Sequence, residues 1–251
     1  MRCRFDFFSC LLEFVFPELC LGCGAARGTR PWSPSGERLY GLRPWDGPHL
    51  CNECFTRIKQ KESAIINLTA GGGSVVPVMA AQWTNPMLVE MVGCWKYKGV
   101  RGLVWPLARL ITRVSSIAET VGSNTVWVPI PLHGRRSRER GFNQALMLAE
   151  QLAAACGGRV GRDLVVRPRS TSQQAKLSSP EARRANLQGA FGIGSQLEHE
   201  KNGLSSRIIV VDDLVTSGAT AGAVVEFLRS HGLSVQAIVC LGVAKPDSPD
   251  C

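Results

Sequence analysis

Ile208-Ile209-Val210-Val211-Asp212-Asp213-Leu214-Val215-Thr216-Ser217-Gly218-Ala219-Thr220 is the stretch that decides how this 251-residue chain is built. Four β-branched residues end in two adjacent acids, and a loop of small residues follows before an amphipathic run begins at Thr220. A short apolar run with no polar face is the pattern of a strand buried on both sides, the usual state of parallel sheet. Such sheets collect ligands at the carboxyl ends of their strands, where Asp212 and Asp213 stand. The loop Thr216 to Thr220 puts backbone N–H groups and hydroxyls at a helix start, whose unpaired donors and partial positive charge suit a phosphate monoester. Gly218 lacks a Cβ and lets the backbone approach a ligand. The plain alternative is a strand, a turn and a helix cap, with the acids serving the first turn. Two acids, two hydroxyls and a glycine in sequence are more than a cap requires.

Outward from this stretch, β-branched runs alternate with amphipathic ones, the signature of an α/β domain with a mostly parallel sheet flanked by helices. Strands are expected near Val75 to Ala81, Thr125 to Ile130, Asp163 to Val166, Arg207 to Asp212 and Ser234 to Val243. Helices are expected over Met87 to Cys94, Gly102 to Ile117, Asn143 to Ala155, Pro180 to Leu187 and Thr220 to His231. The three consecutive glycines within Thr69 to Ser74 mark a boundary. The chain therefore reads as a small N-terminal module over 1–70, with a docking helix at its start, and an α/β domain over 75–251.

The composition is 45% hydrophobic, enough for a full core, and the net charge is +9. Between Pro131 and Leu187 there are eleven basic and four acidic residues, so most of the excess charge lies in two segments around one helix and strand. That placement suits a polyanion, and a small polyphosphate satisfies it as well as a nucleic acid does. The longest apolar candidate, Leu233 to Ala244, is far short of the roughly 18 residues that span a bilayer and reads as a buried strand. Asp6 and Glu13 interrupt the greasy N-terminus, and no small-residue cleavage site follows, so a signal peptide is not expected.

Cys20 and Cys23 form one CxxC pair, and Cys51 and Cys54 form another. Four thiolates brought together in this way are the usual ligands of a structural zinc ion, although the spacer between the pairs is longer than most ribbons use. His49 is an alternative ligand that reads better as a loop residue. The other six cysteines show no pairing, which fits a reducing cytoplasm better than a secreted disulfide framework.

After the strand ending at Ile130 comes Pro131-Leu-His-Gly-Arg-Arg-Ser-Arg-Glu-Arg-Gly-Phe-Asn-Gln144, read as a long basic loop entering a helix near Asn143. Strand, basic loop and helix make a second anion site, and arginine forks bind phosphate oxygens bidentately. A solvated charged loop or a nucleic-acid patch would have the same composition.

The segment VVDDLVTSGAT resembles the phosphoribosyl pyrophosphate (PRPP) signature of type I phosphoribosyltransferases. With FPELCLGCG, the second cysteine pair, WKYKG at 95–99, VPIPLHGRRSRERGFNQ, the spaced Thr171, Gln174 and Leu177, Arg183 with Asn186, and GAF at 189–191, the chain is similar to the ComF-type proteins, which join a double zinc ribbon to such a domain. Ser217 stands where these proteins often carry a second threonine, and the hydroxyl is kept.

The resemblance implies that Asp212 and Asp213 hold the ribose hydroxyls with the help of Mg²⁺, while Thr216, Ser217, Gly218, Ala219 and Thr220 cradle the 5′-phosphate. It implies that Arg135, Arg136, Arg138 and Arg140 meet the pyrophosphate, and that Arg167, Arg169, Thr171, Gln174 and Arg183 belong to a flap that closes over the site. The polar run around that flap would equally suit an idle surface loop. Lys96 and Lys98 either reach the polyanion or solvate a helix end. The implied activity is transfer of a phosphoribosyl group to an unknown acceptor with release of pyrophosphate, linked to DNA uptake or nucleotide metabolism. A non-catalytic handler of single-stranded DNA, acting with competence-machinery proteins, is the alternative. The basic segment carries only Phe142 as a stacking aromatic, which counts against direct strand binding.

Overall fold

The computed structural model describes residues 20, 52–59, 62–70, 73–132, 134–168, 190–195 and 207–244, with the main chain alone at 52, 55, 59 and 135. In chain order the elements are α1 (Asn52–Lys59), β1 (Ala64–Thr69), β2 (Val75–Trp83), α2 (Pro86–Tyr97), a 3-10 turn at Arg101–Leu103, α3 (Val104–Ile111) and α4 (Ser115–Thr120). Then follow β3 (Thr125–Pro129), α5 (Gly134–Arg140), α6 (Gln144–Cys156), β4 (Arg159–Val160), β5 (Val165–Val166), β6 (Gly192–Ile193), β7 (Arg207–Val211), β8 (Leu214–Val215), α7 (Ala219–Ser230) and β9 (Val235–Val243).

The main sheet runs β1-β2-β9-β7-β3-β4, with β8 added beside β9. β1 pairs antiparallel with β2, and every other pairing in that sheet is parallel. The mostly parallel α/β architecture expected from the sequence is therefore present. Along β7 the side chains alternate between two layers: Ile208 and Val210 pack on the side of α7, Ile209 and Val211 on the side of α2, α3 and α6. Burial on both faces is why this strand reads as an unbroken β-branched run. A separate antiparallel pair, β5 with β6, joins the α7 layer through Val165.

Local chemistry explains several element ends. Asn85 caps α2, its side chain accepting from Leu88 N at 3.1 Å, and Pro86 fills the first helical position, where no N–H is needed. Asn143 caps α6 through Ala145 N at 3.0 Å and also donates to Ile130 O at 3.1 Å, tying the helix start to the end of β3.

Three expectations need correction. The helix read over Gly102 to Ile117 is broken into the 3-10 turn, α3 and α4. Thr112 Oγ1 donates to Arg109 O at 3.2 Å, and Val114 is extended, so side-chain competition and backbone conformation end the helix there. The basic loop is in fact helical over Gly134 to Arg140. Five of its seven residues are arginine or glutamate, which are good helix formers, and Gly141 stops it at φ 71° with its N–H on Ser137 O at 2.8 Å. Finally, Ala64 to Thr69 forms the edge strand β1, which was not anticipated. The helix expected over Pro180 to Leu187 lies outside the described residues.

Trp127 on β3 is fully buried and its Nε1 donates to Gly157 O at 2.8 Å, linking the sheet to the end of α6. Trp127→Ala is expected to cost roughly 3–5 kcal/mol in urea denaturation, the range for a large aromatic removed from a core. A loss below about 1 kcal/mol would mean that this layer is not packed as described.

Candidate functional site

Asp212 and Asp213 stand where β7 ends, and the chain is held in ladder geometry through both. Asp212 N donates to Val239 O at 3.0 Å, and Leu241 N donates to Asp213 O at 2.9 Å. The carboxylates are fixed by local bonds: Asp212 accepts from Asp213 N at 2.8 Å and Asp213 from Leu214 N at 2.7 Å. Asp213 also accepts from Lys96 Nζ, at 2.6 Å, across 117 positions of sequence. Both side chains of that ion pair are largely shielded, 17% exposed for Lys96 and 13% for Asp213. Lys96 therefore reaches the acidic site, whereas Lys98 is exposed just after α2.

One lysine does not neutralise two carboxylates. Burial, and then the neighbouring Asp213 charge, push the Asp212 carboxyl up to about 7, against the downward pull of Lys96 and the Asp213 N–H. Cys240 on β9 feels the same negative charge. Burial first, and Asp212 next, push its thiol upward, and its Sγ donates to Gly242 O at 3.4 Å.

Beyond the acids, Leu214 and Val215 form β8 alongside β9, and Thr216 and Ser217 are exposed. Gly218 is buried, takes φ 70° and opens α7 as its N-cap. A Cβ there would meet the end of the Leu68 side chain on β1, which can shift, so it is the left-handed backbone that calls for glycine. Ala219 and Thr220 form the first turn of α7. The structure thus places the predicted acids and the predicted small-residue loop side by side at the end of one strand.

The arginines occupy α5, at the end of the neighbouring strand β3. Arg136 and Arg138 are exposed, and for Arg135 only the backbone is described. Arg140 is held: its guanidinium lies 5.1 Å from the centre of the Tyr97 ring, and it donates to Tyr97 Oη and to Gln144 Oε1, each at 3.3 Å. Arg167 lies 5.6 Å from the Phe191 ring. Burial first, and then the charge of Arg136, make its guanidinium easier to deprotonate than usual. Both of these cations would attract an anion.

A cleft of about 180 Å³ lies beside α5, lined by Pro131, Ser137, Asn143, Arg162, Asp163 and Arg167 among others. Asp212 and Asp213 do not line it. Arg169, Thr171, Gln174 and Arg183 of the expected flap lie outside the described residues.

Of the cysteine set, Cys20 and Cys54 are described, one from each CxxC pair, and both are 2% exposed within the same hydrophobic cluster. Cys23, Cys51 and His49 lie outside the described residues. No group of three or more metal-binding side chains occurs among the described residues.

Tyr97, through its contact with Arg140, is a further member of this region beyond the residues expected from the sequence. Its signal was its place in WKYKG, next to a lysine already considered.

The charge balance at Asp212 has a measurable consequence. Its carboxyl rises from an ordinary 3.8 to about 7, so between those values the folded chain holds a proton that the unfolded chain releases. The stability contributed by this proton is fully present below 3.8 and is lost as pH rises to about 7. Asp212→Asn is therefore expected to gain stability relative to wild type as pH rises through that window, measured by urea denaturation at a series of pH values. Parallel curves for the two proteins would contradict the assignment.

No family model matches the chain. It is similar to the DNA utilization protein YhgH of Salmonella typhi, at 35% identity over 114 residues, covering 45% of this chain and 47% of that protein. It is also similar to Competence protein F of Haemophilus influenzae, at 34% identity over 119 residues, covering 47% of this chain and 49% of that protein. The chain thus spans about half the length of the curated relatives it matches. Among solved structures, an adenine phosphoribosyltransferase overlaps 76% of this chain and 89% of its own at 15% identity, with a TM-score of 0.36. Another, from Thermoanaerobacter pseudethanolicus, overlaps 76% and 99% at 13% identity, with a TM-score of 0.32. What the chain resembles, along slightly less than half of its length, is proteins named for DNA utilization and competence.

Proposed function

We propose that this chain binds PRPP with Mg²⁺ and transfers its phosphoribosyl group to an acceptor, releasing pyrophosphate, in a role linked to DNA uptake or nucleotide metabolism. The observation that carries the reading is the acid pair at the end of β7, followed after the short strand β8 by the left-handed Gly218 that opens α7. In this reading Asp212 and Asp213 orient the ribose hydroxyls, and the N–H groups and hydroxyls of Thr216 to Thr220 hold the 5′-phosphate. Arg135, Arg136, Arg138 and Arg140 face the pyrophosphate, and the segment carrying Arg167, Arg169, Thr171, Gln174 and Arg183 closes to exclude water.

Two carboxylates that share one lysine among the described residues are hard oxygen donors short of positive charge, and they suit Mg²⁺. Bound with the ligand, that ion supplies further neutralisation of the diphosphate. The bond from ribose C1 to the pyrophosphate oxygen breaks with its electron pair leaving on the pyrophosphate. The acceptor forms the new bond to C1 and gives up a proton.

Zinc on Cys20, Cys23, Cys51 and Cys54 is part of the same reading, as a structural staple of the N-terminal module. Supporting it, Cys20 and Cys54 are buried together from opposite CxxC pairs. We also place the protein in a reducing cytoplasm, where Cys94, Cys156 and Cys240 stay as thiols. Among the described residues no helix is long and apolar enough to cross a membrane.

A second reading, a non-catalytic handler of single-stranded DNA, draws on the names of the relatives and on the arginines of α5. Calorimetry separates the two. The reading predicts PRPP binding with Mg²⁺ that falls at least about tenfold in Asp212→Asn with Asp213→Asn, the effect of losing a charged hydrogen-bonding pair. Salt-sensitive binding of a DNA strand that ignores both substitutions, with no PRPP binding, would favour the second. For the zinc, metal analysis of the purified chain is expected to give one ion per chain and much less in Cys54→Ser; a metal-free, folded wild type would remove it.

A further inference from the structure

Contacts leave the segment Trp95 to Arg101 in two directions. Toward the acid pair, Lys96 Nζ lies 2.6 Å from Asp213 Oδ1 in a largely shielded ion pair. Toward α5, Tyr97 lies under the Arg140 guanidinium and accepts from its Nη2 at 3.3 Å. Arg101 donates to Gly141 O, at 3.4 Å, and sits 5.1 Å from the centre of the Phe142 ring. Phe142 in turn lies 6.4 Å from Trp95, which is fully buried.

Surface ion pairs and exposed cation–π contacts are individually worth little. The arrangement matters because two consecutive residues each take hold of a different charged half of the site. Tyr97 is 76% exposed, so core packing does not explain a ring there, whereas its contact with Arg140 does. Trp95, fully buried, anchors the segment that carries both grips.

We propose that Trp95 to Arg101 is a positioning clamp that sets the separation between the acid pair and the arginine helix, Lys96 aligning Asp213 and Tyr97 aligning Arg140. The clamp selects a ligand that carries a pentose phosphate and a diphosphate at that separation. The inference rests on the PRPP reading above and adds two residues that would not themselves touch the reacting atoms.

The test is calorimetric titration of the full chain with PRPP, ribose 5-phosphate and pyrophosphate, each with Mg²⁺. Lys96→Met is expected to weaken PRPP and ribose 5-phosphate about tenfold while leaving pyrophosphate unchanged, with Lys96→Arg restoring most of the loss. Tyr97→Ala is expected to weaken PRPP and pyrophosphate about threefold while sparing ribose 5-phosphate, with Tyr97→Phe retaining most of the affinity through its ring. Should Lys96→Met fail to fold, the exposed Tyr97 variants still carry the test. Unchanged affinities in Lys96→Met and Tyr97→Ala, or an equal loss for all three ligands, would overturn the clamp while leaving the PRPP reading intact. A wild-type chain that binds none of the three overturns the PRPP reading and the clamp with it.

Discussion

Two carboxylates on consecutive residues at the end of a buried strand form an electrostatic problem that the surrounding structure only partly solves. Asp213 has Lys96 and a backbone N–H, while Asp212 has one backbone N–H and the repulsion of its neighbour. Like charges held this close in a shielded place cannot both ionise freely, which is why the Asp212 carboxyl is pushed up to about 7. The lysine, bonded to Asp213 in a largely shielded place, is part of what lets the two acids stand side by side. Such residual strain is tolerated where a site is kept ready for a cation or for hydroxyl donors.

The rest of the fold can be read as support for that arrangement. β7 lies between β9 and β3, and its two-sided burial fixes the height at which the acids emerge. β8 carries the chain back beside β9, and the Gly218 bend, packed on Leu68, turns it into α7. β3 delivers the arginine helix at the end of the adjacent strand, so a negative patch and a positive patch sit at neighbouring strand ends. Opposite patches at neighbouring strand ends suit a ligand that presents hydroxyls at one end and multiple phosphate charges at the other.

How much of this was legible in sequence depended on range. The β7 run, the acids and the small-residue loop are contiguous, so strand, turn and helix start could be read from spacing alone. The grip of Lys96 on Asp213 joins residues 117 positions apart, and that of Tyr97 on Arg140 joins residues 43 apart; no local pattern encodes either. In sequence the arginine helix looks like a loop because its flanking glycines and charge density imitate a turn, whereas arginine and glutamate are good helix formers. β1 escaped notice because an edge strand with exposed Ile65 and Asn67 shows little of the burial pattern that marks an inner strand. The CxxC pairs stood out by spacing, yet spacing cannot say what lies between them in space.

The central claim is that the bend after β7 holds a sugar phosphate beside the acid pair. An amide NMR titration of the isotope-labelled chain with PRPP and Mg²⁺ addresses it at single-residue resolution. The account predicts that the N–H signals of Ser217, Gly218, Ala219 and Thr220 move together and saturate with one ligand. Signals at those four positions that stay fixed at saturating ligand would contradict it.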